Sequence, residues 1–116
     1  MKLEGENVLL RVFVDSFQQW HHAALYEVIV ERARRRNMAG ATVLQGIEGF
    51  GMSGLILRER RWALANDHEV IVEVVDSGDK INAFLAEIEP MLKDAVVTTE
   101  RARVVTYRHS AKGQQP

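Results

Sequence analysis

Four stretches of the chain have the hydrophobic pattern of β-strands. Residues 8–14 read VLLRVFV, a run rich in β-branched residues with one charge, and residues 69–75 read EVIVEVV. Residues 41–51, ATVLQGIEGFG, are predicted as the strand between these two, and a last strand is predicted over 96–107. Glycine weakens a strand through backbone entropy, so the glycines of the second strand indicate a bulge, a sharp turn or the close approach of another group.

The first helix is predicted between the first two strands. Ser16, followed three residues later by Gln19, has the form of a capping box, so we expect the helix to begin near Phe17. The apolar residues that follow at helical spacing are Trp20, Ala24, Leu25, Val28, Ile29 and Ala33. Asn37 is the predicted left-handed residue at which the helix stops.

The second helix is predicted after the third strand. Residues 76–79, DSGD, form its cap, and the apolar positions Ile81, Phe84, Leu85 and Ile88 follow the spacing i, i+3, i+4, i+7. Pro90 disfavours helical geometry at Glu89, so the regular helix should end there. Asp76 and Asp79 are interpreted as capping and helix-dipole residues rather than as a catalytic carboxylate pair.

The predicted order of elements is β-α-β-β-α-β, with a long loop between the second and third strands. This order predicts an α+β fold of the ferredoxin-like type, in which two helices cover one face of an antiparallel four-stranded sheet. Leu9 and Phe13 alternate with other apolar residues of the first strand, and Ile71 and Val75 do so in the third. Both sheet faces are therefore apolar, and the face without helices is expected to bind a partner, most simply another copy.

Length and composition favour one ordinary globular domain, predicted over residues 1–110, with residues 111–116 as a disordered tail. The formal net charge of −1 gives no basic field for nucleic acid, and the absence of cysteine removes disulfides and thiolate chemistry. No apolar run has the length of a signal peptide or a membrane span. A soluble cytoplasmic protein is expected.

The basic run at 34–36 admits two interpretations. Arginines in the last turn of a helix complement its exposed carbonyl groups, which makes a solvated helix end the favoured reading. A nucleic-acid patch is the alternative, and we expect no nucleic-acid partner.

The second strand also carries a family resemblance. Residues 40–51, GATVLQGIEGFG, resemble the second strand of PII signal-transduction proteins, in which a Gly-Phe-Gly end precedes a long flexible loop called the T-loop. Residues 68–88 are similar to the third strand and second helix of that family. The pattern over residues 6–108 looks closest to the uncharacterised PII-like branch called domain of unknown function 190.

This resemblance implies a homotrimer whose open sheet faces pack together and whose clefts between subunits bind a small effector, such as an adenine nucleotide. By match of position, Gly40, Ala41 and Thr42 would contact the ligand, and Gly49, Phe50 and Gly51 would form the ligand-binding hinge of the T-loop. The protein would then be a non-enzymatic regulator that signals through residues 51–66 to a protein target.

The chain departs from PII proteins where their phosphate-binding loop carries a Gly-Asp-Gly-Lys motif. The corresponding residues 89–104 read EPMLKDAVVTTERARV and contain no glycine, which argues against triphosphate binding in the PII manner. Arg101 and Arg103 are the candidate substitutes as phosphate partners. The alternative is that both are solvated strand residues.

The long connection offers a surface for the protein target. Arg58, Arg61 and Trp62 combine charge with an aromatic ring, a composition found at protein interfaces. Alternatively, Trp62 folds back onto its own subunit. A membrane protein is one candidate target, although the chain itself has no membrane segment.

Metal binding and catalysis are the competing functions. CutA-type trimers share the architecture and suggest a metal-associated alternative, but His21 and His22 are adjacent on the predicted helix, and His68 and His109 are distant in sequence. Ser16, Ser53 and Ser77 are explained as cap or loop residues, so no nucleophile with an activating base is found. We expect no metal site, no cofactor and no catalytic residues.

Overall fold

The computed structural model describes residues 3–46 and 69–108. The strands of the main sheet are β1 (Gly5–Asp15), β4 (Ala41–Gln45), β5 (Glu69–Asp76) and β6 (Val96–Val104), and the helices are α1 (Leu25–Arg35) and α2 (Gly78–Ile88). Two short strands, β2 (Gln19–Trp20) and β3 (Ala23–Ala24), form a separate hairpin before α1, and a 3₁₀ turn, Glu89–Met91, follows α2.

The sheet has the strand order β4-β5-β1-β6, and every neighbouring pair is antiparallel. β1 and β5 are therefore the central strands and β4 and β6 are the edges. The first and third long strands lie side by side, as the β-α-β-β-α-β order requires for a ferredoxin-like sheet. The predicted α+β, ferredoxin-like architecture is confirmed. The predicted long loop between the second and third strands falls mostly on residues 47–68, which lie outside the described part.

The core lies between one face of this sheet and the two helices. Strands β1 and β5 bury every second residue there, namely Leu10, Val12 and Val14, and Val70, Val72 and Val74. The helices cover them with Leu25, Ile29 and Ala33 from α1 and Ile81, Phe84 and Ile88 from α2. The helical and strand periodicities of the sequence thus select the same face, as they must in a two-layer fold.

The predicted start of the first helix near Phe17 is wrong. A turn closes at Asp15, where the Gln18 amide donates to the Asp15 carbonyl at 3.1 Å, and α1 begins only at Leu25. His21 and His22 have φ values of 50° and 70° and connect β2 to β3. Two adjacent left-handed residues suit a tight two-residue hairpin turn, and they are incompatible with a right-handed helix.

The end of α1 matches its prediction. Asn37 has a φ of 56°, and the Met38 amide donates to the Ala33 carbonyl at 3.1 Å, which is the bonding of a Schellman cap. Arg34 pairs with Glu31 in the same helix, and Arg36 pairs with Glu87 in α2. These ion pairs agree with the interpretation of the basic run as a helix end.

Helix α2 also matches its prediction. The Ser77 hydroxyl accepts a hydrogen bond from the Lys80 amide at 3.3 Å, and the α-helix ends at Ile88, just before the 3₁₀ turn that contains Pro90. The last strand is shorter than predicted: β6 ends at Val104, whereas the prediction extends to Tyr107. No helix within the described residues is both long and apolar enough to cross a membrane.

Candidate functional site: a cleft on the open sheet face

The sheet face opposite the helices, here called the open face, carries both apolar and charged side chains. Leu9 and Phe13 of β1 and Ile71 and Val75 of β5 lie on it and are only half-buried. The alternation predicted from the sequence is therefore present. Within the described residues, no helix packs on this face.

A cleft of ≈ 320 Å³ lies at one end of the open face, where β1 and β4 begin and β5 and β6 end. Its lining comes from all four strands and from the segments beside them: Leu3, Leu9, Ala39, Gly40, Thr42, Glu73, Val75, Val104 and Tyr107. Most of the lining is apolar, and the polar side-chain groups are a hydroxyl, a carboxylate and a phenol. Such a cleft suits a small molecule with an apolar body and a few hydrogen-bonding groups.

Strand register brings the lining residues together. Thr42 of β4 lies opposite Glu73 of β5, and Val75 of β5 lies opposite Leu9 of β1. Residues directly opposite in an antiparallel sheet share a face, so these four side chains form one continuous floor. Thr42 and Leu9 are distant in sequence, and only the fold makes them neighbours.

The segment before β4 is held in place from α2 and the end of β5. The buried Asp76 carboxylate accepts hydrogen bonds from the Ala39 amide at 2.9 Å and the Ser77 amide at 2.7 Å. Lys80 donates to the Asn37 carbonyl at 2.7 Å and lies 3.4 Å from Asp76. The position of Gly40, beside Ala39, is therefore fixed by side chains that do not line the cleft.

An arginine holds the carboxylate in the cleft floor. Arg11 Nε donates to Glu73 Oε2 at 2.8 Å, and Arg11 Nη1 donates to Glu100 Oε1 at 2.7 Å. These two hydrogen bonds raise the pKa of Arg11 above its ordinary value. Glu73 thus stays oriented across the sheet, and a carboxylate oxygen in that orientation accepts hydrogen bonds from a ligand N–H or O–H group.

Two segments next to the sheet complete the wall. The side-chain amide of Asn7, which is buried, donates to the Leu3 and Gly5 carbonyls. Glu4 Oε2 accepts a hydrogen bond from the Tyr107 amide at 2.9 Å. The residues before β1 and those after β6 are therefore joined at the rim of the cleft.

The predicted ligand residues fall into three groups. Gly40 and Thr42 line the cleft, whereas Ala41 lines a smaller groove against α1 with Val30, Ala33, Arg34, Met38 and Gly40. Arg101 and Arg103 lie opposite Val8 and Glu6, on the other face of the sheet, so one chain does not bring them to the cleft. Gly49, Phe50 and Gly51 lie outside the described residues, as do Arg58, Arg61 and Trp62.

Sequence reasoning missed several lining residues, chief among them Glu73 and Tyr107. The sequence pattern indicates only that Glu73 lies within the third predicted strand and that Tyr107 ends the last predicted strand. Thr42 carries the signal that would have found Glu73, because the ferredoxin-like order pairs the second strand with the third and places charged residues of β5 beside the ligand strand. We see no sequence signal for Tyr107.

The histidines form no recognisable metal centre in the described chain. His21 lies in the hairpin turn, where its ring stacks on Trp20 with a centroid distance of 4.6 Å. Across residues 3–46 and 69–108, no group of three or more His, Cys, Asp or Glu is arranged to hold a metal ion. His68 and His109 lie outside these ranges.

Comparison with protein families identifies relatives over most of the chain. The model of the family DUF190, described as "Uncharacterized ACR, COG1993", matches residues 7–104. A UPF0166 protein of Aquifex aeolicus (strain VF5) is 32% identical over 97 residues, which span 84% of this chain and 91% of that protein. A UPF0166 protein of Methanocaldococcus jannaschii is 26% identical over 106 residues, which span 91% and 93%.

Solved structures share the fold. CPII, a nitrogen regulatory PII-like protein from Thiomonas intermedia K12, superposes with a TM-score of 0.67 at 14% sequence identity, and the match covers 87% of this chain and 90% of CPII. That CPII structure contains ADP, AMP and bicarbonate. The likeness establishes that the fold described above is PII-like.

Proposed function

Since the chain belongs to the family of domain of unknown function 190 and has a PII-like fold, we propose that it is a cytoplasmic, non-enzymatic regulatory protein that binds an adenine nucleotide. The cleft on the open face is the observation that carries this proposal. It lies at the start of β4, where the resemblance to PII proteins implies the ligand, and it combines apolar walls with Thr42 and Glu73.

The chemistry of the cleft suits a purine base. Leu9 and Val75 offer apolar surface to the faces of a ring, the Thr42 hydroxyl can donate or accept, and Glu73 can accept from an exocyclic amino group. Gly40 leaves room at the edge, since a Cβ there would meet no atom of the chain within 4 Å. These features also fit the ADP and AMP bound by CPII, whose fold is similar.

Assembly into a homotrimer is the second part of the proposal. The open face carries Leu9, Phe13, Ile71 and Val75, and on the edge strands Leu44 and Val96 are 42% and 36% exposed. An apolar surface of this kind is usually covered by a partner. A trimer through this face would place the cleft at a subunit boundary.

A subunit boundary would also give Arg101 and Arg103 a role. Both are exposed on β6, on the face away from their own cleft. In a trimer, these arginines of one copy would serve as phosphate partners for a nucleotide whose base lies in the cleft of the next copy.

The protein target would then bind through residues 51–66, with Arg58, Arg61 and Trp62 as contact residues, when the nucleotide favours one arrangement of that loop.

A thermal-shift screen tests the nucleotide. The folded protein is melted with ADP, AMP, ATP, cyclic AMP and divalent metals, because a ligand that binds the folded state raises the melting temperature by mass action. We expect a rise with an adenine nucleotide that is lost when Arg101→Ala and Arg103→Ala are combined. A rise with a metal and none with nucleotides would contradict the proposal and favour the CutA-like alternative.

Light scattering tests the trimer. Phe13→Glu places a charge in the middle of the open face, and we expect it to lower the mass from that of a trimer to that of a monomer. The matched control is Phe17→Glu, which changes an exposed phenylalanine in the turn after β1. An unchanged mass for Phe13→Glu would contradict assembly through this face.

A further inference from the structure

One wall of the cleft is formed by the residues at and beside the start of β1 and the end of β6, and the strand pattern alone does not predict it. We name it the clasp and define it as Leu3–Gly5 together with Val104–Tyr107. Leu3, Val104 and Tyr107 all line the cleft. The clasp is built from two segments that are about 100 residues apart and that meet through the pairing of β1 with β6, in which Gly5 lies opposite Val104, and through the hydrogen bond from the Tyr107 amide to Glu4.

The first segment of the clasp is firmly held. Leu3 is 6% exposed, and the buried Asn7 side chain bonds the carbonyl groups of Leu3 and Gly5. Gly5 has a φ of 111°, a conformation that L-residues with a side chain rarely adopt. The backbone at the start of β1 therefore suits glycine, and Leu3 before it lines the cleft.

The second segment is held more weakly. Val105, next to Val104, is 81% exposed, and Tyr107 is 36% exposed although it lines the cleft. The regular pairing of β6 ends at Val104. Beyond it, the hydrogen bond from the Tyr107 amide to Glu4 Oε2 joins this segment to the first one. A tie of this kind, at an exposed site, contributes modestly and opens readily.

We propose that Tyr107 is a ligand-contacting residue whose ring covers the base of the nucleotide, and that Glu4 is a positioning residue that holds Tyr107 over the cleft. This inference rests on the proposed nucleotide function. An aromatic ring is suited to the flat face of a purine. Because the first segment is fixed and the second is tied to it by one described hydrogen bond, the clasp can open to admit the nucleotide and close over it.

Calorimetric titration of the full chain with ADP tests the contact. We expect Tyr107→Leu to weaken binding at least about fivefold, because stacking on a base is lost, and Tyr107→Phe to bind nearly as tightly as the unchanged protein. The matched control is Tyr26→Leu, since Tyr26 packs against the core from α1 and does not line the cleft. Equal ADP affinity for Tyr107→Leu and the unchanged protein would overturn the contact.

The role of Glu4 is tested by rescue. Glu4→Ala removes the acceptor and should weaken ADP binding about two- to tenfold, whereas Glu4→Gln retains an acceptor oxygen and should restore most of the affinity. Amide hydrogen exchange gives a readout without ligand: Tyr107 should exchange faster in Glu4→Ala than in Glu4→Gln. Glu27→Ala, which changes an exposed glutamate in α1 that does not line the cleft, is the control.

The outcomes separate the two proposals. No ADP binding by the unchanged protein would overturn both the nucleotide function and the clasp. Binding by the unchanged protein with equal affinity in Tyr107→Leu and Glu4→Ala would overturn the clasp alone. Weakening in Glu4→Ala without rescue by Glu4→Gln, and with unchanged Tyr107 exchange, would overturn the positioning role of Glu4.

Discussion

Asp76 is a residue whose removal should be unusually costly. Asp76 is 1% exposed, and its carboxylate accepts hydrogen bonds from the Ala39 amide at 2.9 Å and the Ser77 amide at 2.7 Å. It also lies 3.4 Å from Lys80 Nζ. One side chain therefore joins the end of β5, the start of α2 and the segment that leads into β4.

The magnitude follows from these contacts. Hydrogen bonds to a charged group contribute about 1.5–3 kcal/mol each, and Asp76→Ala leaves two amide donors without their acceptor. The Lys80 side chain is 34% exposed, so its ion pair adds little. We expect Asp76→Ala to lower the free energy of unfolding by about 3–5 kcal/mol, which is a large part of the stability of a small domain.

Urea denaturation at a fixed protein concentration provides the measurement, because assembly makes apparent stability depend on concentration. The control is Asp79→Ala, which removes an exposed carboxylate from the first turn of the same helix and should cost about 0.3–1 kcal/mol. Asp76→Asn keeps one acceptor oxygen and should fall between the two. If Asp76→Ala and Asp79→Ala were equally stable, the structural role of this carboxylate would be refuted.

Three further predictions concern stability and binding. Gly40→Ala should raise the free energy of unfolding by about 0.4–1 kcal/mol in urea denaturation, because a Cβ there meets no atom within 4 Å. The same change should weaken ADP binding in calorimetry. A lower free energy of unfolding would contradict the prediction. Burial raises the pKa of Glu69, and the Asp15 carboxylate opposite it raises it further, so ionisation of Glu69 destabilises the fold as pH rises. Glu69→Gln should therefore raise the free energy of unfolding by about 0.2–1 kcal/mol at pH 7 in the same assay. A lower free energy of unfolding would contradict this. Hydrogen bonds from Arg36 and Arg32 lower the pKa of Glu87, so its stabilisation is present above its ordinary pKa and is lost as pH falls through the lowered value. Acid titration followed by circular dichroism should show Glu87→Gln losing less stability than the unchanged protein between about pH 5 and 3, and equal losses would count against the ion pair.

The central strands and α2 could be predicted because local and tertiary signals agree there. Val70, Val72 and Val74 alternate with the residues of the open face, and Ser77 supplies the cap before the periodic positions of α2. The start of α1 could not be predicted in this way. His21 and His22 adopt left-handed conformations without the glycine or asparagine that normally marks a two-residue hairpin turn, so a capping-box pattern prevailed over the true turn.

Only the side of the cleft formed by the start of β4 could be predicted from the sequence. The glycine at position 40 and the threonine at position 42 belong to one local motif, which the resemblance to PII proteins assigns to a ligand. Leu9, Glu73 and Tyr107 belong to three different segments and meet only through strand register and the contacts of the clasp. A local motif therefore identifies one side of such a site, whereas its remaining walls depend on how distant segments pair.

Equilibrium dialysis with ADP tests the central claim most directly, because it measures both stoichiometry and affinity. We expect one ADP bound for each chain, with binding weakened about two- to tenfold in Thr42→Val, which removes a polar group of the cleft. Thr99→Val, on the opposite sheet face, should bind as the unchanged protein does. No ADP retained by the unchanged protein, or equal binding by the two threonine variants, would contradict the claim that this cleft is a nucleotide site.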